Sequence, residues 1–330
     1  MSAPSRERPD LPARSAAPEA AAGSAGNARP FSSLTIGVIG AGRVGAVLGA
    51  ALARAGHRVV AASGVSAAAK GRIARLLPGA ANLPADEVAR AAADVLIIAV
   101  PDDALAAVVA GLADTGALRP GQVVAHTSGA HGLAILAPAV DAGASPLALH
   151  PAMTFTGEVE DLDRLAGISY GVAAPAGLRP LAERLVAELG GSPEWIAEAD
   201  RPLYHAALVH GANHLVTLLN EALDRLRDAG VGNPEKVLGP LVRASLENTL
   251  RLGDAALTGP VSRGDAGTVA RHLDRLADSA PESVPSYLAL ARRTADRAIA
   301  GGRLRPVDAE SLLDVLATGH AEPAERETAA

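Results

Sequence analysis

The stretch Leu34-Thr35-Ile36-Gly37-Val38-Ile39-Gly40-Ala41-Gly42-Arg43-Val44-Gly45 decides the fold. Its first half is a short apolar run that reads as a strand, its second half is a glycine-rich turn, and the alanine-rich segment from Arg43 to Ala55 has the character of a helix. Gly56 punctuates the end of that helix and Arg58 to Ala62 reads as the next strand, so the segment forms one βαβ unit. Within it, Gly40, Gly42 and Gly45 stand in G-x-G-x-x-G spacing. The first glycine permits the tight turn, the second lets backbone approach a diphosphate, and the third lets the helix pack closely on the strand. The helix N-terminus adds free N–H groups and a partial positive charge. Gly40, Ala41, Gly42, Arg43, Val44 and Gly45 are therefore expected to bind a dinucleotide.

Working outward, further apolar runs occur at Val95 to Val100, Val123 to Ala125, Pro146 to Leu149 and Ile168 to Val172. Nearly continuous apolar strands are what a sheet covered on both faces demands, which makes the first domain an α/β Rossmann fold with a doubly wound parallel sheet. After Trp195 the strand signals end. Helical patterns then run from Pro202 to Ala229, Pro234 to Leu252, Ala266 to Ala277 and Val284 to Ala300. Gly230, Gly253 and Gly301 stand where C-terminal caps belong, and Pro234 and Pro306 suit first turns. The expected organisation is a disordered tail over 1–32, a Rossmann domain over 33–199, an all-helical domain over 200–319 and a loose tail over 320–330.

Composition narrows the function. The 330-residue chain carries a net charge of -6, and aromatic residues make up 2% of it. Phe31, Phe155, Tyr170, Trp195, Tyr204 and Tyr287 offer no interleaved stacking platform, and the lysines are only Lys70 and Lys236. Nucleic-acid binding is thereby disfavoured. The absence of cysteine excludes disulfides, thiolate catalysis and cysteine zinc sites, and fits a cytoplasmic address. No apolar run approaches the roughly 20 residues of a membrane span, and the first thirty residues lack the apolar segment of a signal peptide. A small-molecule substrate and a homodimer built on the helical domain are the expected partners.

An NAD-preferring Rossmann site usually has an acid at the end of its second strand to bind the ribose hydroxyls. Here that stretch reads Ala61, Ala62, Ser63, Gly64, Val65, Ser66. With no carboxylate to repel a 2′-phosphate, and with Ser63, Ser66, Lys70 and Arg72 at hand, the sequence points to NADP(H), with NAD as the alternative. Lys70 and Arg72 read equally well as ordinary solvated helix charges. Val100 and Pro101 lie at a strand's carboxyl end and are expected to flank the cofactor. Asp102 and Asp103 suit helix capping and the helix dipole.

Two later strands end in His126-Thr127-Ser128-Gly129 and His150-Pro151-Ala152-Met153. Ser128 can hydrogen-bond a carbonyl or carboxylate and Gly129 lets backbone approach, although capping the next helix would also explain the serine. His126 and His150 have the chemistry of acids or bases near neutral pH, or of backbone-bonded structural histidines. On the first long helix of the second domain His205, Val209 and Asn213 are spaced by four, Asn220 follows seven later, and His210 and His214 pair on a neighbouring face. No third ligand of matching spacing accompanies the two histidines, and no metal is expected. The loop Leu257-Thr258-Gly259-Pro260-Val261-Ser262-Arg263-Gly264-Asp265 either connects two helices or reaches the substrate. In the second case Thr258 and Arg263 bind it, Arg263 through a fork that matches a carboxylate. Asn248 is a weaker candidate of the same kind.

From about Leu34 to Arg292 the chain resembles a family of paired Rossmann-like and helical domains labelled DUF2520, whose members are taken to be oxidoreductases. The resemblance is carried by Tyr204-His205-Ala206-Ala207 through Gly211-Ala212-Asn213-His214-Leu215 and by Leu257 to Asp265. More distantly it is similar to the 6-phosphogluconate-dehydrogenase-like superfamily. Ketopantoate reductases of that group place a catalytic lysine eight residues before an asparagine; here His205 stands in that position and Asn213 matches the asparagine. Prephenate dehydrogenases have a His-Pro-Met segment, to which His150-Pro151-Ala152-Met153 is similar with one alanine inserted. Pyrroline-5-carboxylate reductases have a Thr-Ser-Pro-Gly-Gly loop, and Thr258-Gly259-Pro260 lies at a comparable place.

The resemblance implies hydride transfer between NADPH and a small 2-oxo or imino acid, with the nicotinamide between the two domains. Ser128 and Arg263 then position the substrate, Asn213 binds it, and His205 supplies the proton. Two other readings stand beside it: oxidation in a prephenate-type dehydrogenase with His150 as base, and a dinucleotide-binding sensor or scaffold without turnover.

Overall fold

The structure, a computed structural model, describes residues 33–318. The two expected tails, 1–32 and 320–330, lie outside the described residues. The chain divides into two compact units, Met1–Ala199 and Asp200–Ala330.

The first unit alternates strands and helices: β1 (Thr35–Ile39), α1 (Arg43–Arg54), β2 (Arg58–Ser63), α2 (Ala67–Leu76), β3 (Ala81–Asn82), α3 (Ala85–Ala91), β4 (Val95–Ile98) and α4 (Asp102–Asp114). There follow β5 (Val123–His126), α5 (Ala137–Asp141), β6 (Ser145–Pro151), α6 (Asp161–Arg164), β7 (Ser169–Ala173), α7 (Arg179–Glu188) and β8 (Ser192–Trp195). They make one sheet in the order β3-β2-β1-β4-β5-β6-β7-β8. Strands β1 to β6 are parallel. Because β1 lies between β2 and β4, the winding changes direction there, and the crevice beyond the carboxyl ends of β1 and β4 is where ligands of such sheets sit.

Side-chain alternation gives each face its own core. Ile36 and Val38 of β1 join Ala46, Leu48 and Leu52 of α1, Ile73 of α2 and Leu185 of α7 in one layer. Ile39, Leu96 and Ile98 meet Val88 of α3, Leu105 and Val109 of α4 and Ala139 of α5 in the other. All four residues of β4 are buried, as expected of a central strand covered on both sides. Truncating such a residue, Leu48 for example, costs about 2–5 kcal/mol through lost transfer energy and the cavity left behind.

The last strands depart from the all-parallel expectation. β7 runs antiparallel to β6, with His150 opposite Gly171, and β8 runs parallel to β7. The connection over 152–168 contains only the four-residue α6, so no helix carries the chain back across the sheet and β7 starts from the end at which β6 stopped. β8 was not anticipated; it is a mostly exposed edge strand carrying Pro193, which only an edge tolerates. Trp195, the single tryptophan, closes β8 with the Arg179 guanidinium 4.7 Å from its ring centroid.

The second unit is helical: α8 (Arg201–Leu208), α9 (His214–Asp228), α10 (Pro234–Leu252), α11 (Pro260–Arg263), α12 (Ala266–Ser279), α13 (Val284–Ala300) and α14 (Pro306–Thr318). Its core comes from three of these, through Val269 and Leu273 of α12, Ala291, Ala295 and Ala298 of α13, and Ala309, Leu312 and Leu316 of α14. By contrast α9 has no buried residue and α10 only Pro234. The leucines of α10 face outward, with Leu241 63% and Leu250 80% exposed, whereas most of those on α9 are half-buried. The expected caps are met at Gly253 and Gly301, while α9 is capped by Ala229 with Gly230, at φ 80°, following it.

The expected single helix from Pro202 to Ala229 is interrupted. Val209–Asn213 form a π-helical turn that joins α8 to α9. Such a turn inserts one residue into the helical register.

Candidate active site

The glycine loop takes the form its spacing requires. Gly40 is at φ 84°, and a Cβ there would lie 2.6 Å from the Ala99 carbonyl oxygen. A Cβ on Gly45 would lie 2.3 Å from the Gly40 carbonyl oxygen and 2.9 Å from Ala99 Cβ. These two glycines are demanded by the protein's own packing. Gly42 differs: at φ -73° it has an ordinary backbone, and its Cβ would meet nothing closer than Gly40 O at 3.9 Å. Its missing side chain leaves open space beside the start of α1, room that a diphosphate group fits. The turn is held by Gly42 N donating to Gly40 O at 2.7 Å and Ala41 N donating to Ser63 O at 2.8 Å.

Arg43 opens α1, so its N–H and those of Val44 and Gly45 belong to the first turn, which has no partners inside the helix. Ser63 ends β2 opposite Ile39, and Val100 Cγ1 lies 3.1 Å from the Cβ position of Gly40. Pro101 is the exposed N-cap residue of α4. The sheet thus brings Gly40, Ala41, Gly42, Arg43, Val44, Gly45, Ser63, Val100 and Pro101 to one edge. Asp102 and Asp103 lie inside the first turn of α4 and make no side-chain cap; their place suits the helix dipole alone.

Beyond β5 the chain folds into a tight hydrogen-bonded loop. His126 is fully buried; Ser128 N donates to its Nδ1 at 3.2 Å, and its Nε2 faces Gly132 O at 2.7 Å. Ser128 Oγ accepts from His131 N at 3.2 Å, closing a turn three residues before the 3-10 segment Ala134–Leu136 and so not capping a helix. Glu198 fastens the loop from the far end of the unit, accepting from Leu133 N at 2.6 Å. Ser128 and Gly129 are buried within it. His150 is half-buried on β6; His126 pairs with Ala148, so His150 stands two residues further along on the same face.

A different loop, 152–160, crosses towards α1 and α2. The carboxylate of Asp161, fully buried, accepts from Thr156 N and Gly157 N, each at 2.7 Å, and from Thr156 Oγ1 at 3.0 Å. Burial pushes its pKa up, but these bonds and Arg164 outweigh it and hold the carboxyl below the ordinary range. Nothing in the sequence singled out this loop for a role.

In the helical unit the π turn changes how the polar stripe is read. In an unbroken α-helix His205 and Asn213 stand about 80° apart around the axis; one inserted residue removes about 100° and returns Asn213 to within about 20° of the face of His205. His205 is half-buried and Asn213 exposed. His210 and His214 meet each other, Nδ1 to Nδ1 at 3.1 Å, with their rings edge to face. Arg263, at the end of α11, is exposed. Thr258 lies with Pro260 and Val261 on a groove of about 910 Å³ walled by α9, α12 and α13, among them Leu218, Tyr287 and Leu290; His205, Asn213 and Arg263 do not line it.

Comparison with known proteins bears on this arrangement. A family profile described as a Rossmann-like domain matches residues 19–151, and one described as DUF2520, a domain of unknown function, matches 168–294. The chain therefore joins a Rossmann-like domain to a DUF2520 domain, and the second match takes in β7, α7 and β8 as well as much of the helical unit. No curated protein matches the sequence. A Bacteroides fragilis protein named as an NADP oxidoreductase is 22% identical, with a TM-score of 0.69 over 80% of this chain and 98% of its own. A Thermotoga maritima protein, whose name states no activity, is 19% identical, with a TM-score of 0.58 over 81% of this chain and 99% of its own. The 1-pyrroline-5-carboxylate reductase of Streptococcus pyogenes is 18% identical, with a TM-score of 0.54 over 81% and 98%. At these identities the likeness is one of fold. No helix among the described residues is long and apolar enough to cross a membrane.

Proposed function

We propose that this chain of a Rossmann-like domain and a DUF2520 domain is an NADP(H)-dependent oxidoreductase that reduces a small 2-oxo or imino acid. The observation that carries the reading is the glycine loop: Gly40 and Gly45 are fixed by packing, while among the described residues a side chain on Gly42 would meet only Gly40 O, at 3.9 Å. Its fold neighbours named as an NADP oxidoreductase and a pyrroline carboxylate reductase support the same class, as does a Pseudomonas imine reductase at 19% identity and a TM-score of 0.53. The nicotinamide supplies the hydride when bound.

The remaining work falls to side chains. Ser128 and Gly129 are assigned to the substrate's polar end, and Thr258 and Arg263 to its carboxylate, for which a guanidinium fork is suited. Asn213 binds the reacting carbonyl or imine and His205 delivers a proton to its oxygen or nitrogen, the π turn keeping both on one helix face. His150 is the reserve acid or base. The domain limits 33–199 and 200–319 and a cytoplasmic location belong to the same proposal.

A homodimer goes with it. The leucines on α10 are those of a contact surface, since a monomer rarely leaves residues such as Leu241, Leu246 and Leu250 so exposed on one helix. Sedimentation equilibrium is expected to give twice the chain mass, and a single-chain mass at micromolar concentration would remove this element.

The function is tested by titrating NADPH and NADH calorimetrically, then following NADPH absorbance with a panel of 2-oxo acids and cyclic imines. Tight NADPH binding and oxidation by at least one member are expected. Binding without any consumption favours a sensor, and no binding of either dinucleotide ends the oxidoreductase reading.

A further inference from the structure

Two arginines from separate elements close on the same backbone point. A Cβ at Gly157 would lie 2.8 Å from Arg72 Nε, 3.1 Å from Arg72 Cδ and 2.9 Å from Arg43 Cγ, so the side chains of Arg43 and Arg72 rest against its α-carbon. Gly157 is buried beneath them and, at φ 83°, holds a conformation that other residues rarely adopt. Among the described residues neither arginine has a carboxylate partner. The acid next to Gly157 in the chain, Glu158, is taken by Arg75, with Arg75 Nη2 donating to Glu158 Oε2 at 2.8 Å. Two arginine side chains that meet on one buried glycine without a carboxylate partner leave positive charge for an anion to balance.

Their location says which anion. Arg43 is the residue after the second glycine of the phosphate loop, and Arg72 lies on α2, the helix that directly follows β2. The end of β2 is where a Rossmann domain receives the adenosine ribose, and here it carries Ser63 and no acid. Resting on the dinucleotide reading above, the geometry points to a 2′-phosphate clamp made of Arg43 and Arg72, with the loop after β6 as its third wall. Asp161 positions that wall by holding the amides of Thr156 and Gly157. Lys70, two residues before Arg72 and so about 200° away around α2, is no part of it.

The loop's role is steric and electrostatic together. Gly157 provides the gap in which the two side chains converge, and the pairing of Glu158 with Arg75 keeps a nearby negative charge from occupying the clamp. In sequence Arg72 and Gly157 are 85 residues apart, and Arg43 precedes Arg72 by 29.

The test uses the full-length protein with 2′,5′-ADP and 5′-ADP as probes, alongside NADP⁺ and NAD⁺, in calorimetric titrations. Arg72→Gln and Arg43→Gln are each expected to weaken 2′,5′-ADP and NADP⁺ about 10- to 100-fold, the scale of one or two charge-assisted hydrogen bonds, while 5′-ADP and NAD⁺ change by less than about threefold. Gly157→Ala is expected to have the same selective effect, and melting curves verify that each variant is folded. Arginine variants that leave 2′,5′-ADP binding intact, or that weaken both nucleotides equally, overturn the clamp while leaving the oxidoreductase reading in place. A wild-type protein that binds none of the four probes overturns both.

Discussion

The amide of Ser128 donates to Nδ1 of His126 at 3.2 Å. A ring nitrogen that accepts cannot carry the hydrogen, so the hydrogen sits on Nε2 and is donated to the Gly132 carbonyl at 2.7 Å. His126 is in this way a buried brace for the loop that carries Ser128 and Gly129, and both ring nitrogens are occupied by backbone.

His126→Leu keeps the volume and removes both bonds, leaving a buried amide and a buried carbonyl without this partner. Each costs about 1–3 kcal/mol, so chemical denaturation is expected to show a loss of roughly 2–6 kcal/mol. A variant as stable as the wild type would show that the loop does not depend on the imidazole.

The glycine loop separates packing from binding. Gly42→Ala adds a methyl where the nearest atom is 3.9 Å away, so the melting temperature is expected to stay within a few degrees while dinucleotide affinity falls about tenfold or more. Gly45→Ala drives a methyl to 2.3 Å from the Gly40 carbonyl and is expected to destabilise the fold itself by several kcal/mol, as overpacking does. Unchanged affinity in the Gly42 variant would mean that the diphosphate lies elsewhere.

Acid stability follows from two carboxylates held below their ordinary pKa. For Asp161 and for Glu188 burial is the largest influence and raises the pKa, but hydrogen bonds outweigh it, from Gly157 and Thr156 in the first case and from His57 and Arg184 in the second. A lowered folded pKa means stability that is present in full above the unfolded value, near 4, and lost as pH falls through the folded value. Urea midpoints are expected to be level from pH 7 to about pH 5 and to drop below pH 4, with a shallower drop in Asp161→Asn. An identical acid slope in that variant would relieve Asp161 of the role.

For catalysis the informative residue is His205. A general acid contributes about a hundred- to ten-thousandfold, so His205→Ala is expected to reduce kcat by that factor while the NADPH Kd, measured separately, stays within about twofold. Equal losses in both would identify a structural histidine.

Much of the sheet could be read in advance because β1, β4 and β5 are buried on both faces and therefore appear as unbroken apolar runs. β3 and β8 could not: two residues in one case and Ser192-Pro193-Glu194-Trp195 in the other are short and exposed, and edges impose no pattern. The reversal of β7 was equally invisible, since strand direction is set by the connection and not by the strand. The cofactor loop was legible because its glycines have local causes. The meeting of Arg43, Arg72 and Gly157 was not, for it depends on a loop whose partners are fixed by tertiary packing, and Arg72 alone looks like any solvated helix charge. The π turn left no mark in composition either, being a shift of hydrogen-bond register among residues that would also form an α-helix.

Trp195 ends the last strand of the sheet unit five residues before the helical unit begins at Asp200, and it is the sole indole in the chain. Its emission is therefore a built-in optical gauge of the sheet alone, whereas far-ultraviolet dichroism sums the helices of both units. If the two signals melt at different temperatures, the order in which the halves come apart can be read directly, without attaching any label.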